Sequence, residues 1–339
     1  MQYNNLVIIN NEKISKEQEN YYCDNVDVKS IPEGLSQYNH IHYISRKLKK
    51  KGNYRVYLKN VKIASNLIIF IFHIFKTFKI PDTKYLLMSV NPYTFCSFLF
   101  LYIFRKKIFV YLRSSGHEEY KYILGSWAVW IYDFMYRAVT SKSKVIIVND
   151  KLHDKKKSYF AYPSKLDNLW LKNHTKPSLE KVKFLYVGRI NPEKGILEFV
   201  KMFDDLKLNA TLSIVSKEKN LNISNENVKL LGHGFDTQSL INIYDNNNIT
   251  ILPSYTEGHP QILDESLSRK RPVIIFEDII HVIKDKKGIF VAKRNIDSFL
   301  DTVKYVMKNY QTIQIEMEKN KLPTREDFLK QITNIIKSN

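Results

Sequence analysis

Ser254-Tyr255-Thr256-Glu257-Gly258-His259-Pro260-Gln261-Ile262-Leu263-Asp264-Glu265 follows a short apolar run, Ile249 to Leu252, and opens a segment of helical character. The run predicts a buried strand, Gly258 permits a close backbone approach, and Pro260 pre-sets a first helical turn. The amides from His259 to Ile262 then point at whatever lies above the strand end, which suits an anion. Open α/β sheets bind ligands at that position, outside the carboxyl ends of their strands. Glu257 stands just before those amides, where a carboxylate can accept hydrogen bonds from sugar hydroxyls. Glu265, a turn and a half into the helix, can reach a ribose diol. Taken alone, the segment reads more readily as a helix that Glu257 caps and on which Glu265 is solvated.

Working back along the chain, Val187-Gly188-Arg189-Ile190-Asn191-Pro192-Glu193-Lys194-Gly195 repeats the pattern after another apolar run, Val182 to Val187. Asn191, Pro192 and Glu193 supply a cap, a proline at the first helical position and a first-turn acid. Arg189 and Lys194 flank that helix start, where the macrodipole opposes each cation by about 0.3–1 kcal/mol unless an anion lies between them. A diphosphate is such an anion, and two cations aimed at a leaving diphosphate stabilise its developing charge. The alternative is two solvated surface bases. Further strands are expected at Ala210 to Val215, Val228 to Leu231 (closed by Gly232), Val273 to Phe276 and Ile289 to Val291. Helices are expected over 238–246, after Glu257, and over 297–309 and 325–337.

The first half alternates strand and helix in the same way, which predicts a parallel α/β sheet. Its expected strands are Leu6–Ile9, Ile41–Ser45, Arg55–Leu58, Tyr85–Ser89, Ile108–Leu112 and Val145–Val148, with helices around 63–78, 92–104 and 123–140. The polar stretch 154–181, with Pro163 and Pro177, reads as a linker. Directly after the strand 108–112 comes Arg113-Ser114-Ser115-Gly116-His117-Glu118-Glu119, placed at a strand end where a second substrate can be met.

Composition narrows the classes. The 339 residues suit two domains, and Cys23 and Cys96 form neither a disulfide framework nor a metal-ligand spacing. No secretory leader is expected, and a reducing compartment fits. The net charge of +19 is uneven: residues 1–180 hold 29 Lys+Arg against 14 Asp+Glu, a net of +15. The densest basic run, from Arg46 to Lys62, adjoins the apolar stretch Leu67 to Phe75, and a second apolar stretch, Phe95 to Phe104, ends in Arg105-Lys106-Lys107. Both fall short of the roughly 18–20 residues that span a bilayer. They suit a surface lying on anionic headgroups, or equally two buried helices with a solvated basic face. No nucleic-acid-binding motif is present, so nucleic acid is not an expected partner.

The G-R-x-x-x-x-K-G stretch, the later Val228-Lys229-Leu230-Leu231-Gly232-His233-Gly234-Phe235 and the E-x7-E spacing of Glu257 and Glu265 together resemble the nucleotide-binding half of family 4 glycosyltransferases. The resemblance covers about residues 182–310. It implies a GT-B fold, α/β with two Rossmann-like domains facing a central cleft, and a retaining, metal-independent transfer from a nucleotide diphosphate sugar. By resemblance, Arg189 and Lys194 contact the diphosphate, Glu257 the sugar and Glu265 the ribose. Gly188, Leu231, Gly232, Gly258, His259, Pro260, Gln261 and Ile262 line the donor pocket, and His117 resembles the family's cleft histidine. Two departures stand out. Asn10-Asn11-Glu12-Lys13 follows the first strand where the family often has a glycine-rich loop, and Arg269-Lys270-Arg271 replaces the glycine before the Pro-Val strand.

The resulting expectation is a cytoplasmic hexosyltransferase, peripheral at the inner membrane face, that uses a UDP- or GDP-sugar. It adds to a glycan or lipid-linked acceptor of a bacterial capsule or O-antigen, without metal or other cofactor. Residues 1–175 form the acceptor-binding, membrane-facing domain, with Arg113, Ser114, Ser115 and Gly116 on the acceptor side. Residues 176–312 hold the nucleotide, and 313–339 form a C-terminal helix that packs back on the first domain. The rival readings are a nucleotide-sugar epimerase on the same fold, a non-catalytic glycan- or membrane-binding protein and, third, a basic nucleic-acid binder, which salt-dependent DNA binding without nucleotide-sugar binding would favour.

Overall fold

The computed structural model describes residues 4–24, 26–113, 116–117, 120, 125–149, 152–206, 208–218 and 225–339. They divide into two units: Met1–Pro163 with Glu326–Asn339, and Ser164–Arg325. The division falls before the expected boundary at 175/176.

In the second unit, β10 (Val182–Val187), β11 (Ala210–Val215), β12 (Val228–Gly232), β13 (Ile249–Leu252), β14 (Val273–Phe276) and β15 (Ile289–Ala292) form one parallel sheet. Its order is β12-β11-β10-β13-β14-β15, every neighbouring pair parallel. That is the doubly wound order, and its direction reverses between β10 and β13. The strands read as unbroken apolar runs because helices cover both faces; Ile249, Thr250, Ile251 and Leu252 are all buried. The core gathers Phe184, Phe199, Phe203, Phe276 and Phe299, the last ring 5.3 Å from Phe199 and 5.6 Å from Phe184.

Among the described residues the first unit has nine strands: β1 (Asn4–Glu17), β2 (Asn20–Cys23), β3 (Asn39–Lys47), β4 (Tyr54–Val56), β5 (Val61–Ala64), β6 (Thr83–Met88), β7 (Lys107–Leu112), β8 (Lys144–Ile147) and β9 (Ser158–Phe160). The path β5-β3-β1-β6-β7-β8-β9 is parallel throughout. On one face lie α2 (Leu67–Lys76), α3 (Pro92–Ile103) and α4 (Trp127–Lys142); on the other lie α1 (Val26–Leu35) and α10 (Arg325–Ser338). Phe328, Leu329, Ile332 and Ile336 of α10 fill the core of this unit, and a Cβ on Gly34 would stand 2.5 Å from Leu329.

Several expectations are corrected. β1 extends well past Ile9: its polar second half pairs antiparallel with β2, which in turn pairs antiparallel with β4. Where a loop was expected after Ile9, the register shifts between Ile9 and Lys13, and the Asn10 side chain accepts from the Glu12 amide at 3.1 Å while donating to the Tyr43 hydroxyl at 2.9 Å. The expected helix 63–78 is β5 followed by α2, with Asn66 capping α2 through the Ile69 amide. The expected linker contains β9, and its later part is tied into the second unit by two buried arginines. Arg269, in the turn before β14, grips Asp245 with Nε and Nη2 at 2.9 and 2.7 Å. It also donates to the carbonyls of Trp170, Lys172 and Asn173. Arg271 donates to Thr175 and Asn247 carbonyls. Arginines replace the expected glycine here because the segment needs donors for its turned-in carbonyls.

Candidate functional site

The turn after β10 carries Gly188 and Arg189, then a 3-10 turn, Pro192–Lys194, then Gly195 at φ 62°, and only then α5 (Ile196–Asp204). From the sequence, Arg189 and Lys194 flank a helix start at Pro192; instead the helix begins only after Gly195, and both bases precede it. That glycine is required twice over, by its left-handed φ and because a Cβ would stand 2.2 Å from the Pro253 carbonyl oxygen. Gly195→Ala is therefore expected to cost about 1–3 kcal/mol in a chemical denaturation titration; a loss under 0.5 kcal/mol would show that the two turns relax independently.

The turn after β13 packs on the first. The Tyr255 amide donates to the Glu193 carbonyl at 3.0 Å, and Lys194 Nζ reaches Glu257 Oε1 at 2.6 Å. Ser254 Oγ donates to the same carboxylate oxygen at 2.7 Å, and the side chains of Lys194 and Glu257 are only 20% and 10% exposed. Thus Lys194 and Glu257, assigned to different parts of a donor from sequence, meet directly. Arg189 is exposed at the same strand end, with its carbonyl accepting from the Tyr186 hydroxyl.

Beyond Glu257, Pro260 takes the N-cap position of α7 (Gln261–Ser268), so the helix starts one residue later than expected, and Pro260 gives no side-chain cap. His259 Nε2 lies 3.1 Å from Asp264 Oδ2, and Lys286 Nζ lies 2.8 Å from Asp264 Oδ1, with all three side chains at most 9% exposed. Burial pushes the Asp264 carboxyl up, but the His259 hydrogen bond and the Lys286 charge outweigh it and hold the group below the ordinary carboxylate range. The His259 ring is thereby fixed beside the amides at the start of α7. Glu265, on the same helix, accepts from the Tyr244 hydroxyl of α6 (Thr237–Asn246) at 2.8 Å. Burial raises the Glu265 carboxyl against the pull of that hydrogen bond and of Lys165. Leu231 is exposed at the end of β12, and Gly232 and Gly234 take φ of 75° and 86° with open space where a Cβ would stand.

Sequence reasoning missed four side chains in this neighbourhood. Arg294 lies 3.8 Å over the Tyr255 ring and donates to the Pro253 and Ser254 carbonyls, so it braces the β13 turn. Lys286 braces Asp264. Glu218, just past β11, accepts from Ser216 and from the Ile190 amide, which holds its carboxyl below the usual range. Tyr244 orients Glu265. None belongs to a spaced motif, and each comes from an element remote in sequence.

In the first unit, Arg113 and Gly116 line a cavity of about 310 Å³ beside the register shift in mid-β1 and the end of β6, with Asn10, Glu12, Asn91 and Tyr132. Gly116 donates its amide to the Tyr132 hydroxyl at 3.0 Å, and a Cβ there would stand 2.3 Å from that ring. His117 meets the Asp133 carboxylate of α4 through Nε2 and packs edge-on against Tyr132 at 4.9 Å. Asp133 was not picked out in the sequence. Ser114 and Ser115 lie outside the described residues. Among the described residues no three His, Cys, Asp or Glu side chains gather to hold a metal ion.

With two doubly wound sheets and these strand-end turns in view, comparison with known structures is decisive for architecture. The chain matches HepE of Anabaena in complex with UDP at TM-score 0.71, 11% identity, covering 99% of this chain and 100% of that one. The fold is that of the GT-B glycosyltransferases. A sucrose-phosphate synthase from Thermosynechococcus elongatus matches this GT-B chain at TM-score 0.64 and 12% identity over 98% of both chains. WaaG, a glycosyltransferase involved in lipopolysaccharide biosynthesis, matches at 0.61 and 12%, over 98% of this chain and 100% of that one. Residues 171–322, the greater part of the second unit, match the family model of glycosyl transferases group 1. No curated protein matches in sequence.

Proposed function

We propose that this chain is a retaining glycosyltransferase that moves a hexose from a UDP- or GDP-sugar to a lipid-linked or polysaccharide acceptor in bacterial surface-glycan synthesis. It would work without a metal, in the cytoplasm against the inner face of the membrane. The observation that carries the reading is the meeting of Lys194 and Glu257 at the sheet's switch point, beside Arg189. Cations on one turn and a carboxylate on the other match the two ends of a sugar diphosphate. HepE, on the same fold, is in complex with UDP.

In this reading Arg189 and Lys194 take up charge on the departing diphosphate as the bond from the sugar's anomeric carbon to phosphate oxygen breaks. The acceptor hydroxyl forms the new bond on the same face, and its proton passes to that phosphate oxygen. Glu257 exchanges its Lys194 contact for sugar hydroxyls, Glu265 holds the ribose, and the α7 amides after Gly258 meet the phosphate with His259 beside them. Gly188 lets the β10 turn approach the donor, while Leu231 and Gly232 border the base. His117, Arg113, Ser114, Ser115 and Gly116 serve the acceptor.

A thermal-shift panel of UDP, GDP, ADP and their sugar conjugates tests the reading. One base is expected to raise the melting temperature, since a ligand at about 100 times its Kd stabilises by about 2.7 kcal/mol. Silence from every nucleotide would remove the reading's support. The same assay gives a pH dependence. Folding favours protonated Glu265, because its carboxyl is raised, so the group opposes folding as pH rises above its unfolded value. Ribose binding needs the carboxylate, so nucleotide affinity falls as pH drops through that raised pKa, beginning above the ordinary glutamate value of about 4.3. Glu265→Gln is expected to weaken binding and flatten that pH profile; an unchanged profile would place the ribose elsewhere.

A further inference from the structure

We infer that the α2–α3–α4 layer of the first unit docks on a bilayer surface rich in anionic phospholipid. The three helices share one inward face: Phe70 and Ile74, Phe98 and Leu101, and Met135 and Val139 all pack on the same side of the sheet. Outward, they present apolar side chains where solvated helices carry polar ones. Ile68 is 82% exposed, Ile103 72%, Trp130 67% and Trp127 64%, with Phe72 and Phe134 above one half. Scattered exposed apolar residues are ordinary, but these belong to adjacent helices. Phe75 of α2 lies 6.3 Å from Phe100 of α3, and Phe95 of α3 lies 5.9 Å from Phe134 of α4. A continuous apolar face of this kind marks an interaction surface.

Charge selects the occupant. The three helices contain one acid, Asp133, and it is taken up by His117. Bases follow each helix: Lys79 after α2, Arg105 to Lys107 after α3, Lys144 after α4. Bases also lie along the aromatic rings: Lys76 Nζ, at the end of α2, is 4.4 Å over Phe72 and Lys106 Nζ is 4.3 Å over Phe78, and from there long stems can reach headgroups. Beside α2, His73 shares a cavity of about 530 Å³ with Lys47, Lys49, Lys50 and Lys62. Apolar side chains rimmed by bases, with tryptophans among them, match the boundary between acyl chains and anionic headgroups. A second copy of the chain would bring the same excess of bases against itself. No helix among the described residues is long and apolar enough to cross a membrane, so the face lies on the bilayer.

The inference rests on the proposed function only for its purpose, presenting the enzyme to a lipid-linked acceptor; its test needs no nucleotide. The full chain is floated with phosphatidylcholine vesicles, with and without phosphatidylglycerol, at low and physiological salt. Wild type is expected to float with the anionic vesicles, less so at higher salt. Phe72→Ser/Trp130→Ser and Arg105→Glu/Lys106→Glu are each expected to weaken the binding at least about tenfold, with melting curves and nucleotide-induced shifts unchanged. Wild type that ignores anionic vesicles, or variants that float as well as it does, would overturn the inference. So would a dimer in gel filtration that the serine variant dissolves, which gives the face to a second copy. Vesicle binding with no nucleotide shift in wild type would sink the transferase reading and leave this one standing.

Discussion

Lys194→Met is expected to lower turnover of the donor chosen by the thermal-shift panel by about 10²–10³-fold, the usual effect of removing one preorganised donor from a developing oxyanion. Because Lys194 is paired with Glu257 in a largely buried site, the variant also leaves a carboxylate without its counter-charge, and a stability loss of about 3–5 kcal/mol accompanies it. The two effects separate in a double variant. Lys194→Met/Glu257→Gln removes both charges, so much of the lost melting temperature returns. Turnover does not, because the diphosphate still lacks its cation. Nucleotide diphosphate release measured on the wild type, both single variants and the double variant decides the matter. Should turnover recover together with stability, the pair is a structural tie and the leaving-group role fails.

Arg269→Leu is expected to be the most damaging substitution outside the site. The guanidinium is 1% exposed and uses its whole fork, on the Asp245 carboxylate and on three carbonyls of residues 170–173. Leucine of similar bulk supplies none of these donors, so the carbonyls and one side of Asp245 stay buried and unmatched. The expected loss is about 3–5 kcal/mol, or roughly 6–20 °C for a unit of this size. Arg269→Lys keeps the charge without the fork and should fall between. Amide exchange across 170–175 checks the cause: protection there should collapse in the leucine variant before the rest of the second unit opens. Global destabilisation with protection at 170–175 intact would refute the clamp.

The legible parts of the chain were those where one local rule governed. Val182–Val187 and Ile249–Leu252 announce buried parallel strands because both their faces are covered, leaving no polar alternation to obscure them. The E-x7-E spacing and the Arg189–Lys194 turn were legible because strand-end chemistry is written in contiguous residues. What escaped was set by distant partners. The second half of β1 is polar because it forms a twisted ribbon at the sheet's margin. α1 was hidden by Pro32 within it, and its Gly34 makes sense only against Leu329. The stretch 154–181 reads as loose until two arginines a hundred residues on are seen to hold it. Asp133, Lys286 and Glu218 each complete a site from another element, so no spacing could disclose them. The direct pairing of Lys194 with Glu257 was also out of reach, since it depends on how two turns stack at Gly195 and Pro253.

The return of α10 to the first unit has a consequence for biosynthesis. The stretch up to residue 163 is made first, but the groove that Phe328, Leu329, Ile332 and Ile336 fill stays unfilled until residues 326–339 emerge. At about 5–20 residues per second, that delay is of the order of 10–30 s. During it the second unit, contiguous in the chain, can fold to completion while the earlier half waits with apolar surface uncovered. The ribosome thus delivers the halves in one order and the molecule finishes them in the other, and chaperones that hold unfolded chains should be found on the nascent first half. A gene cut at the boundary cannot yield a stable first unit unless the helix is supplied in trans or moved, by circular permutation, to precede β1.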